Sequence, residues 1–259
     1  MKVGILAGGL GSRLSEETTV KPKPMVEIGD YPILWHIMRY YAAYGHDEFA
    51  VALGYKGEYI KRWFADRATL GGDLHIKAGE GRVESTGNGH DEVEDWSVSL
   101  IETGRNTNTG GRIKRLIPHL GPETFMLTWG DGVSTIDLDA LVEFHRDHGK
   151  ICTLTAVHPP ARYGHIEIEG SQITEFTEKP QAAEGWINGA FFVMEPEVAD
   201  YIDGDDTLFE REPLERLAAE GQLMAYQHVD FWACMDTMRD KVMLENMWDS
   251  GDAPWKIWK

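Results

Sequence analysis

With 259 residues, the chain is long enough to bury the core of one large domain, which we expect to span residues 1–259. Its 43 acidic residues exceed its 25 basic residues by 18, and this negative charge disfavours nucleic acid or an anionic membrane surface as a partner. No apolar run approaches the ~20 residues of a membrane span, and the beginning MKVGILAGG lacks a signal-peptide pattern, so we expect a cytoplasmic protein.

Strand-like and helix-like segments alternate along most of the chain, which is typical of a mostly parallel sheet flanked by helices. The pattern predicts strands at residues 2–7, 48–54, 97–102, 124–129, 151–158 and 190–194. It predicts helices at residues 31–44, 56–66, 113–120, 138–148, 213–220 and 237–248. Residues 163–177 alternate with period two about a Gly-Ser turn, which predicts an antiparallel hairpin, and residues 223–236 predict two short strands. The expected fold class is α/β, with a Rossmann-like, mixed but mainly parallel sheet and a small antiparallel section.

The first predicted strand runs into ILAGGLGSRL, a glycine-rich loop suited to phosphate. Gly8, Gly9 and Gly11 have no Cβ, so backbone N–H groups there can approach a polyanion closely. The third glycine of a dinucleotide fingerprint is missing, and no GKS or GKT follows to make a P-loop. Arg13 and, ten residues later, Lys23 are cations suited to phosphate. Together these residues predict a phosphate-transfer site, with a glycine turn beside surface cations as the alternative.

An anionic substrate of such an acidic protein needs local cations, and the first 24 residues supply them. This segment contains Lys2, Arg13, Lys21 and Lys23, against Glu16 and Glu17. We therefore expect the four basic side chains to form a local basic cluster.

Two aspartates follow predicted strands and are candidate metal ligands. Asp131 stands between glycines in TWGDGV, at the carboxyl end of a strand, where open α/β sheets bind ligands. Asp236 in CMDTMRD follows another strand. Mg²⁺ is usually held by one or two carboxylates together with substrate phosphates. Sequence spacing does not pair the two aspartates, and each serves equally well as a turn or helix N-cap residue.

The segment TEKPQAAEGWINGAFF carries residue types that bind sugar hydroxyls and phosphate. These are Glu178, Lys179, Asn188 and Gly189. A charged turn is the alternative interpretation.

Cysteine and histidine spacing gives no metal site. Cys152 and Cys234 lie in apolar, strand-like sequence without a CxxC pair, so we expect two reduced, buried thiols. His145 and His148 stand three apart, but Zn²⁺ needs further ligands, and we interpret both as exposed residues at a helix end. The polar segment 79–95 predicts a surface loop, with a mobile lid or an oligomer contact as the alternative.

The motif LAGGLGSRL, followed by KPKPM, resembles the signature of sugar-phosphate nucleotidyltransferases, which reads LAGGxGTRL and then a lysine-bearing segment. Further segments match in chain order, among them EETTVKPKPMVEIG, TGGRIKRL, GDGVS, WINGAFFV, MDTMRDK and APWKIW. The resemblance covers the whole chain and is most specific for the branch that forms CDP-glucose.

This resemblance implies a Mg²⁺-dependent reaction in which CTP and α-D-glucose 1-phosphate give CDP-glucose and pyrophosphate. The implied catalytic residues are Arg13, Lys23 and Asp131, and the implied metal ligands are Asp131 and Asp236. Glu178, Lys179, Asn188 and Gly189 are the implied contacts of the sugar phosphate. The implied nucleotide contacts are Leu6, Ala7, Gly8, Gly9, Leu10, Gly11, Ser12, Arg13, Lys23, Gly111, Arg112 and Gly130. The resemblance also implies a homo-oligomer that serves synthesis of bacterial surface polysaccharide such as O-antigen.

Four positions depart from the family pattern. Ser12 replaces threonine, Glu102 replaces aspartate, Trp129 replaces tyrosine and Ala190 replaces a glycine. Ala190 crowds the backbone on the sugar side, so strict preference for glucose is the expectation most open to test. The alternatives are another nucleotide or hexose 1-phosphate, or a catalytically silent nucleotide sensor on the same fold. A nicotinamide dehydrogenase is disfavoured by the missing third glycine.

Overall fold

The computed structural model describes residues 1–9, 11–70, 73–85, 94–159, 165–169, 172–177 and 185–258. The strands are β1 Val3–Leu6, β2 Glu27–Ile28, β3 Tyr31–Pro32, β4 Glu48–Leu53, β5 Leu74–Lys77, β6 Arg82–Ser85, β7 Ser97–Glu102, β8 Phe125–Trp129, β9 Gly132–Ser134, β10 Cys152–Val157, β11 His165–Glu169, β12 Gln172–Thr177, β13 Ile187–Met194, β14 Leu223–His228 and β15 Trp232–Cys234. The α-helices are α1 Ser15–Thr18, α2 Ile33–Ala43, α3 Gly57–Leu70, α4 Thr109–Leu120, α5 Leu138–His148, α6 Glu212–Ala219 and α7 Met238–Asp249. Short 3-10 helices cover Ser12–Leu14, Lys23–Met25, Ala78–Glu80 and Pro196–Tyr201.

A seven-stranded sheet with the order β14-β10-β13-β8-β1-β4-β7 forms the centre of the fold. Its neighbouring strands run parallel except around β13, which is antiparallel to both β10 and β8. Strands β1 and β4 are near-continuous apolar runs, as expected for strands covered by helices on both faces. The expected fold class, a mixed and mainly parallel sheet, is confirmed.

The two faces of the sheet bury separate hydrophobic cores. Along β1, Val3 and Ile5 point to the core shared with α2, α5 and α7, whereas Leu6 points to the core shared with α4 and α6. Successive side chains of a strand alternate between faces, so a continuous apolar strand supplies both cores at once.

The parallel strands bring several loops to one edge of the sheet. Val3 of β1 pairs with Phe49 of β4 on one side and Met126 of β8 on the other. The carboxyl ends of β1, β4, β7 and β8 therefore lie at the same edge. Open α/β sheets bind ligands at that edge, and the glycine loop and Asp131 both follow strands that end there.

The predicted helices and strands are confirmed with small shifts at their ends. The predicted loop at residues 79–95 instead contains strand β6, which pairs with β5, and residues 86–93 of it lie outside the described residues. The largest shifts are those of α3, which ends at Leu70 rather than at residue 66, and of α4, which begins at Thr109 rather than at residue 113. Glycines lower helix propensity and hide this start in the sequence. In the folded protein they are needed, because a Cβ on Gly111 would lie 2.6 Å from Asp205 Cα. The predicted hairpin is present as β11 and β12. No helix among the described residues has the length and apolarity to cross a membrane.

The interpretation of His145 and His148 as exposed residues is wrong. His145 is buried, with Nδ1 2.7 Å from Thr153 Oγ1 and Nε2 3.1 Å from Glu195 Oε1. His148 is half-buried, and its Nε2 lies 2.7 Å from the same Thr153 oxygen. Burial lowers the pKa of both histidines, which favours neutral rings. The helix end packs onto β10, a tertiary contact that the spacing of the two histidines does not reveal.

The carboxyl-terminal segment packs against His36 on α2. The indole N–H of the fully buried Trp255 donates to His36 Nδ1 at 3.4 Å, and the His36 Nε2–H donates to the Ile28 carbonyl at 2.9 Å. The ring of Trp248 contacts the imidazole edge-on, with centroids 4.5 Å apart. Burial in this aromatic surrounding lowers the pKa of His36 to about 4.

We expect acid to destabilise the fold through His36. Its folded-state pKa of about 4 lies below the ordinary value of 6.5, so the unfolded chain takes up the proton first as the pH falls. The contribution of His36 to the free energy of unfolding is complete above the pKa of the unfolded chain. It declines as the pH falls towards the pKa of the folded protein, and roughly 2 kcal/mol is lost at about pH 5. Urea unfolding near neutral pH and at about pH 5 measures this loss. The wild type should lose about 2 kcal/mol more than His36→Gln, and equal losses would contradict the assignment.

Candidate active site

Two adjoining cavities open at the edge of the sheet where β1 and β8 end. The first, of about 510 Å³, lies between the glycine loop, the end of β8 and residues 105–109. The second, of about 460 Å³, lies between the end of β8 and strands β13 and β15. The residues that line both cavities are Gly9, Gly11, Lys23, Trp129 and Asp131. These shared residues mark where ligands in the two cavities would meet.

The glycine loop forms one wall of the first cavity. Gly9 has open space where a Cβ would stand, so its backbone faces the cavity unobstructed. Gly11 adopts a left-handed φ of 63°, a conformation that favours glycine. Leu6, Ala7 and Gly130 also line this cavity. Leu10 lies outside the described residues.

Arg112 fixes the glycine loop from within the protein. Its Nη2 donates to the Gly8 carbonyl at 3.1 Å, and its Nη1 donates to the Leu53 and Gly104 carbonyls at 3.0 and 2.9 Å. A Cβ on Gly8 would lie 2.2 Å from Arg112 Nη1, so only glycine permits this approach. Burial lowers the pKa of Arg112, and most of the acceptors of its two Nη groups are backbone carbonyls. Arg112 therefore lines the first cavity as a clamp that joins the loops after β1 and β7.

Lys23 joins the two candidate metal ligands. Its Nζ lies 2.6 Å from Asp131 Oδ2 and 2.5 Å from Asp236 Oδ1, while Arg13 Nη1 lies 2.7 Å from Asp236 Oδ2. Burial by itself lowers the pKa of Lys23, but the carboxylates outweigh it and the pKa lies above the ordinary value. Burial by itself raises the pKa of Asp236, but Lys23 and Arg13 outweigh it and hold that pKa below its usual range.

Strand pairing explains why the two aspartates meet. Strand β15 pairs antiparallel with β9, with Cys234 opposite Gly132. The Met235 N–H also donates to the Asp131 carbonyl at 2.9 Å, which holds the chain just before Asp236 against Asp131. Residues that sequence spacing does not pair are thus neighbours through a short two-stranded sheet.

Cys234 is the third member of this acidic group. One ligand atom each of Asp131, Cys234 and Asp236 lie within 4.8 Å of one another, an arrangement that can hold a metal ion. The expected apolar burial holds for Cys152 but is wrong for Cys234, which is half-buried beside two carboxylates. Burial and the Asp131 charge raise the pKa of the Cys234 thiol, so the carboxylates remain the natural ligands for a hard cation.

The expected basic cluster does not form as a unit. Arg13 and Lys23 reach the cavities, but Lys2 Nζ donates to the His119 carbonyl at 3.2 Å. Lys21 pairs with Glu27. Lys2 precedes β1 and lies at the opposite end of that strand from the glycine loop, so chain proximity does not bring it to the site.

The second cavity contains the described part of the expected sugar-phosphate contacts. Asn188 and Gly189 line it, together with Trp232, whose indole N–H donates to the Gly189 carbonyl at 2.8 Å. Glu178 and Lys179 lie outside the described residues. Gly111 of α4, an expected nucleotide contact, packs against Asp205, and the side chain of Ser12 lies outside the described part of the chain.

Strand β13 contains an irregularity at this cavity. Its register with β10 shifts between the pairs Leu154–Phe192 and Ala156–Asn188, which leaves extra residues on β13. Ala190 in this bulge has a left-handed φ of 61°, and its N–H donates to Asn188 Oδ1 at 2.8 Å. Bulges of this kind redirect side chains and are common beside active sites. Alanine at position 190 therefore stands in place of the family's glycine where the backbone conformation favours glycine.

Sequence reasoning missed three parts of the site. Residues 105–109 line the first cavity, and Trp232 and Cys234 line the second. The first could have been found, because residues 103–108 follow the predicted strand at 97–102 and so lie at the ligand-binding edge. No comparable signal identifies Trp232 or Cys234, since both face the site only through the pairing of β15 with β9.

Comparison with known proteins gives consistent matches over the length of the chain. The nucleotidyl transferase family model matches residues 2–248. Glucose-1-phosphate cytidylyltransferase of Salmonella typhi is 50% identical over 260 residues, covering 100% of both chains. The probable glucose-1-phosphate cytidylyltransferase of Bacillus subtilis is 41% identical over 259 residues, again covering 100% of both. The crystal structure of HddC from Yersinia pseudotuberculosis superposes with a TM-score of 0.70 at 23% identity, covering 95% of this chain and 99% of that one.

We expect Ala190→Gly to stabilise the protein. A left-handed backbone costs an alanine roughly 1–2 kcal/mol, of which the greater chain entropy of glycine cancels roughly 0.5–1 kcal/mol. A net gain of up to about 1.5 kcal/mol should appear in urea unfolding. Ala225→Gly on β14 is the matched control, because Ala225 is an exposed strand residue with ordinary backbone and should lose about 0.5–1 kcal/mol. A loss in both variants would show that Ala190 is not strained.

Proposed function

Because the chain belongs to the nucleotidyl transferase family, we propose that it transfers a cytidylyl group from CTP to α-D-glucose 1-phosphate, giving CDP-glucose and pyrophosphate. The observation that carries this assignment is the full-length, 50% identical match to glucose-1-phosphate cytidylyltransferase. Lys23 and Asp131, which line both cavities, together with Arg13 and Asp236, which line the second, would supply the charges that such a transfer requires.

We propose that the nucleotide binds in the first cavity. Its wall of backbone around Gly8 and Gly9 suits a polyanion, and Arg112 holds that wall in place. The residues proposed to contact the nucleotide are Leu6, Ala7, Gly8, Gly9, Leu10, Gly11, Ser12, Arg13, Lys23, Gly111, Arg112 and Gly130. The glucose 1-phosphate would occupy the second cavity, against Asn188 and Gly189, with Glu178 and Lys179 as further contacts.

The reaction needs positioning and charge neutralisation more than a base. The phosphate oxygen of glucose 1-phosphate attacks the α-phosphorus of CTP, the new O–P bond forms, and the bond to the pyrophosphate oxygen breaks. A phosphate monoester has its second pKa near 6, so the attacking oxygen is already ionised around pH 7 and no side chain has to remove a proton. The site accordingly offers Lys23 and Arg13, which would neutralise the reacting phosphates and the departing pyrophosphate.

The Asp131 and Asp236 carboxylates fit Mg²⁺, because this hard cation binds oxygen ligands and is commonly held by one or two carboxylates plus substrate phosphates. When bound there, Mg²⁺ would supply positive charge to the triphosphate. Asp131 would serve as a catalytic residue by holding the ion, and Asp236 would share it.

Three broader features belong to the same proposal. The chain would act as one nucleotidyltransferase domain over residues 1–259 and would work as a homo-oligomer. It would act in the cytoplasm, where CTP is available, and its product would serve synthesis of surface polysaccharide such as O-antigen. A catalytically silent sensor is the alternative, but Lys23 and Asp131 line both cavities and Arg13 lines the second beside them, an arrangement that suits catalysis.

We expect pyrophosphate release to be fastest with CTP and glucose 1-phosphate. The assay combines the purified protein with each common nucleoside triphosphate and with several hexose 1-phosphates. Release with UTP or dTTP but not with CTP would exclude the cytidylyl assignment. Tight CTP binding without any turnover would instead favour the sensor.

We expect Lys23→Ala and Asp131→Ala each to lower kcat by about a hundredfold or more, because each removes charge stabilisation at the reacting phosphates. Lys21→Ala is the matched control, since Lys21 pairs with Glu27 and does not line either cavity among the described residues. Circular dichroism checks that each variant is folded. Near-normal turnover in a folded Lys23 or Asp131 variant would refute the role of that residue.

A further inference from the structure

Lys23 lies where a metal ion held by the two aspartates would bind. Its Nζ contacts one oxygen of Asp131 at 2.6 Å and one oxygen of Asp236 at 2.5 Å. These are carboxylates of the only group in the described part of the chain that meets the geometry of a three-ligand metal site. An ammonium and a divalent cation held by these aspartates would therefore use the same two carboxylates.

The charges of this cluster balance without a metal ion. Asp131 and Asp236 contribute two negative charges, and Lys23 and Arg13 contribute two positive charges. The two cations differ in position, because the Lys23 side chain is only 12% exposed and bridges both carboxylates. Arg13 is 75% exposed and contacts Asp236 from the outside. Removal of Lys23 would leave two half-buried carboxylates with only this outer partner.

The turn that carries Lys23 holds its backbone, and only the end of its side chain contacts the aspartates. Lys23 lies in a short turn between Pro22 and Pro24. Its Cβ lies close to Gly11: a Cβ built on that glycine would be 3.0 Å away. Beyond that point a flexible four-carbon stem carries the ammonium. The same residue lines both cavities, so a phosphate in either cavity is within reach of its side chain.

We propose that Lys23 is the internal counter-ion of the metal site: its ammonium occupies the cation position in the free protein, and the triphosphate draws it away. The divalent cation and the nucleotide then bind together, because the arriving phosphates both attract Lys23 and bring ligands for the metal. Free protein without nucleotide binds the metal weakly. This inference rests on the proposed function, which supplies the triphosphate.

The test measures Mn²⁺ binding to the full chain by electron paramagnetic resonance, without nucleotide and without turnover. Lys23→Met should bind Mn²⁺ at least about tenfold more tightly than the wild type, because the competing charge is gone. Lys23→Gln should show the same direction while keeping a polar side chain. Lys21→Met is the matched control and should bind like the wild type, since Lys21 pairs with Glu27 rather than with the aspartates.

A second measurement identifies the site. Asp131→Asn added to Lys23→Met should abolish the gain in Mn²⁺ affinity. A non-reacting CTP analogue should raise the Mn²⁺ affinity of the wild type by more than it raises that of Lys23→Met. The inference is overturned if folded Lys23→Met and Lys23→Gln bind Mn²⁺ no more tightly than the wild type. It is also overturned if the wild type binds Mn²⁺ equally well with and without the analogue.

The two proposals fail separately. Wild-type protein that releases pyrophosphate from CTP, combined with unchanged Mn²⁺ affinity in the Lys23 variants, would overturn only the counter-ion role. Wild-type protein that releases no pyrophosphate from any nucleotide would overturn the proposed function, whatever the Mn²⁺ affinities are.

Discussion

The contact of Lys23 with Asp131 and Asp236 is the interaction on which the site depends. It joins the turn after the glycine loop to the loops that follow β8 and β15, and so ties three distant parts of the chain to one point. Two carboxylates this close repel each other unless cations separate them. An electrostatic requirement of the folded protein thus coincides with the chemistry of phosphate transfer, which needs positive charge at the same place.

The sheet supplies the frame in which this contact forms. Parallel pairing of β1 with β4 and β8 brings their carboxyl ends together, and Arg112 then fixes the glycine loop through backbone carbonyls. This arginine is held in the wall by several neutral acceptors, so it keeps its place independently of any bound anion. Rigid support from Arg112 and a movable cation at Lys23 are complementary parts of one site.

The second cavity is built on a less regular element. Strand β13 is antiparallel to its neighbours, contains a bulge, and places Ala190 in a backbone conformation that favours glycine. Backbone strain of this kind persists only where surrounding contacts hold it, here the bond to Asn188 Oδ1 and the indole of Trp232 on Gly189. The proposed sugar subsite therefore rests on a strained part of the backbone.

The sequence alone determined the order and type of most elements, because hydrophobic periodicity is local and each strand and helix carries its own pattern. It also identified the glycine loop, Arg13, Lys23 and both aspartates as candidate residues. Only the tertiary structure decided which of them meet. The pairing of β15 with β9 brings Asp131, Asp236 and Cys234 together, and the packing of α5 buries His145. Lys2 and Lys21 lie away from Arg13 and Lys23, so the expected basic cluster does not form. Such outcomes depend on contacts between residues far apart in the chain, which no local pattern records.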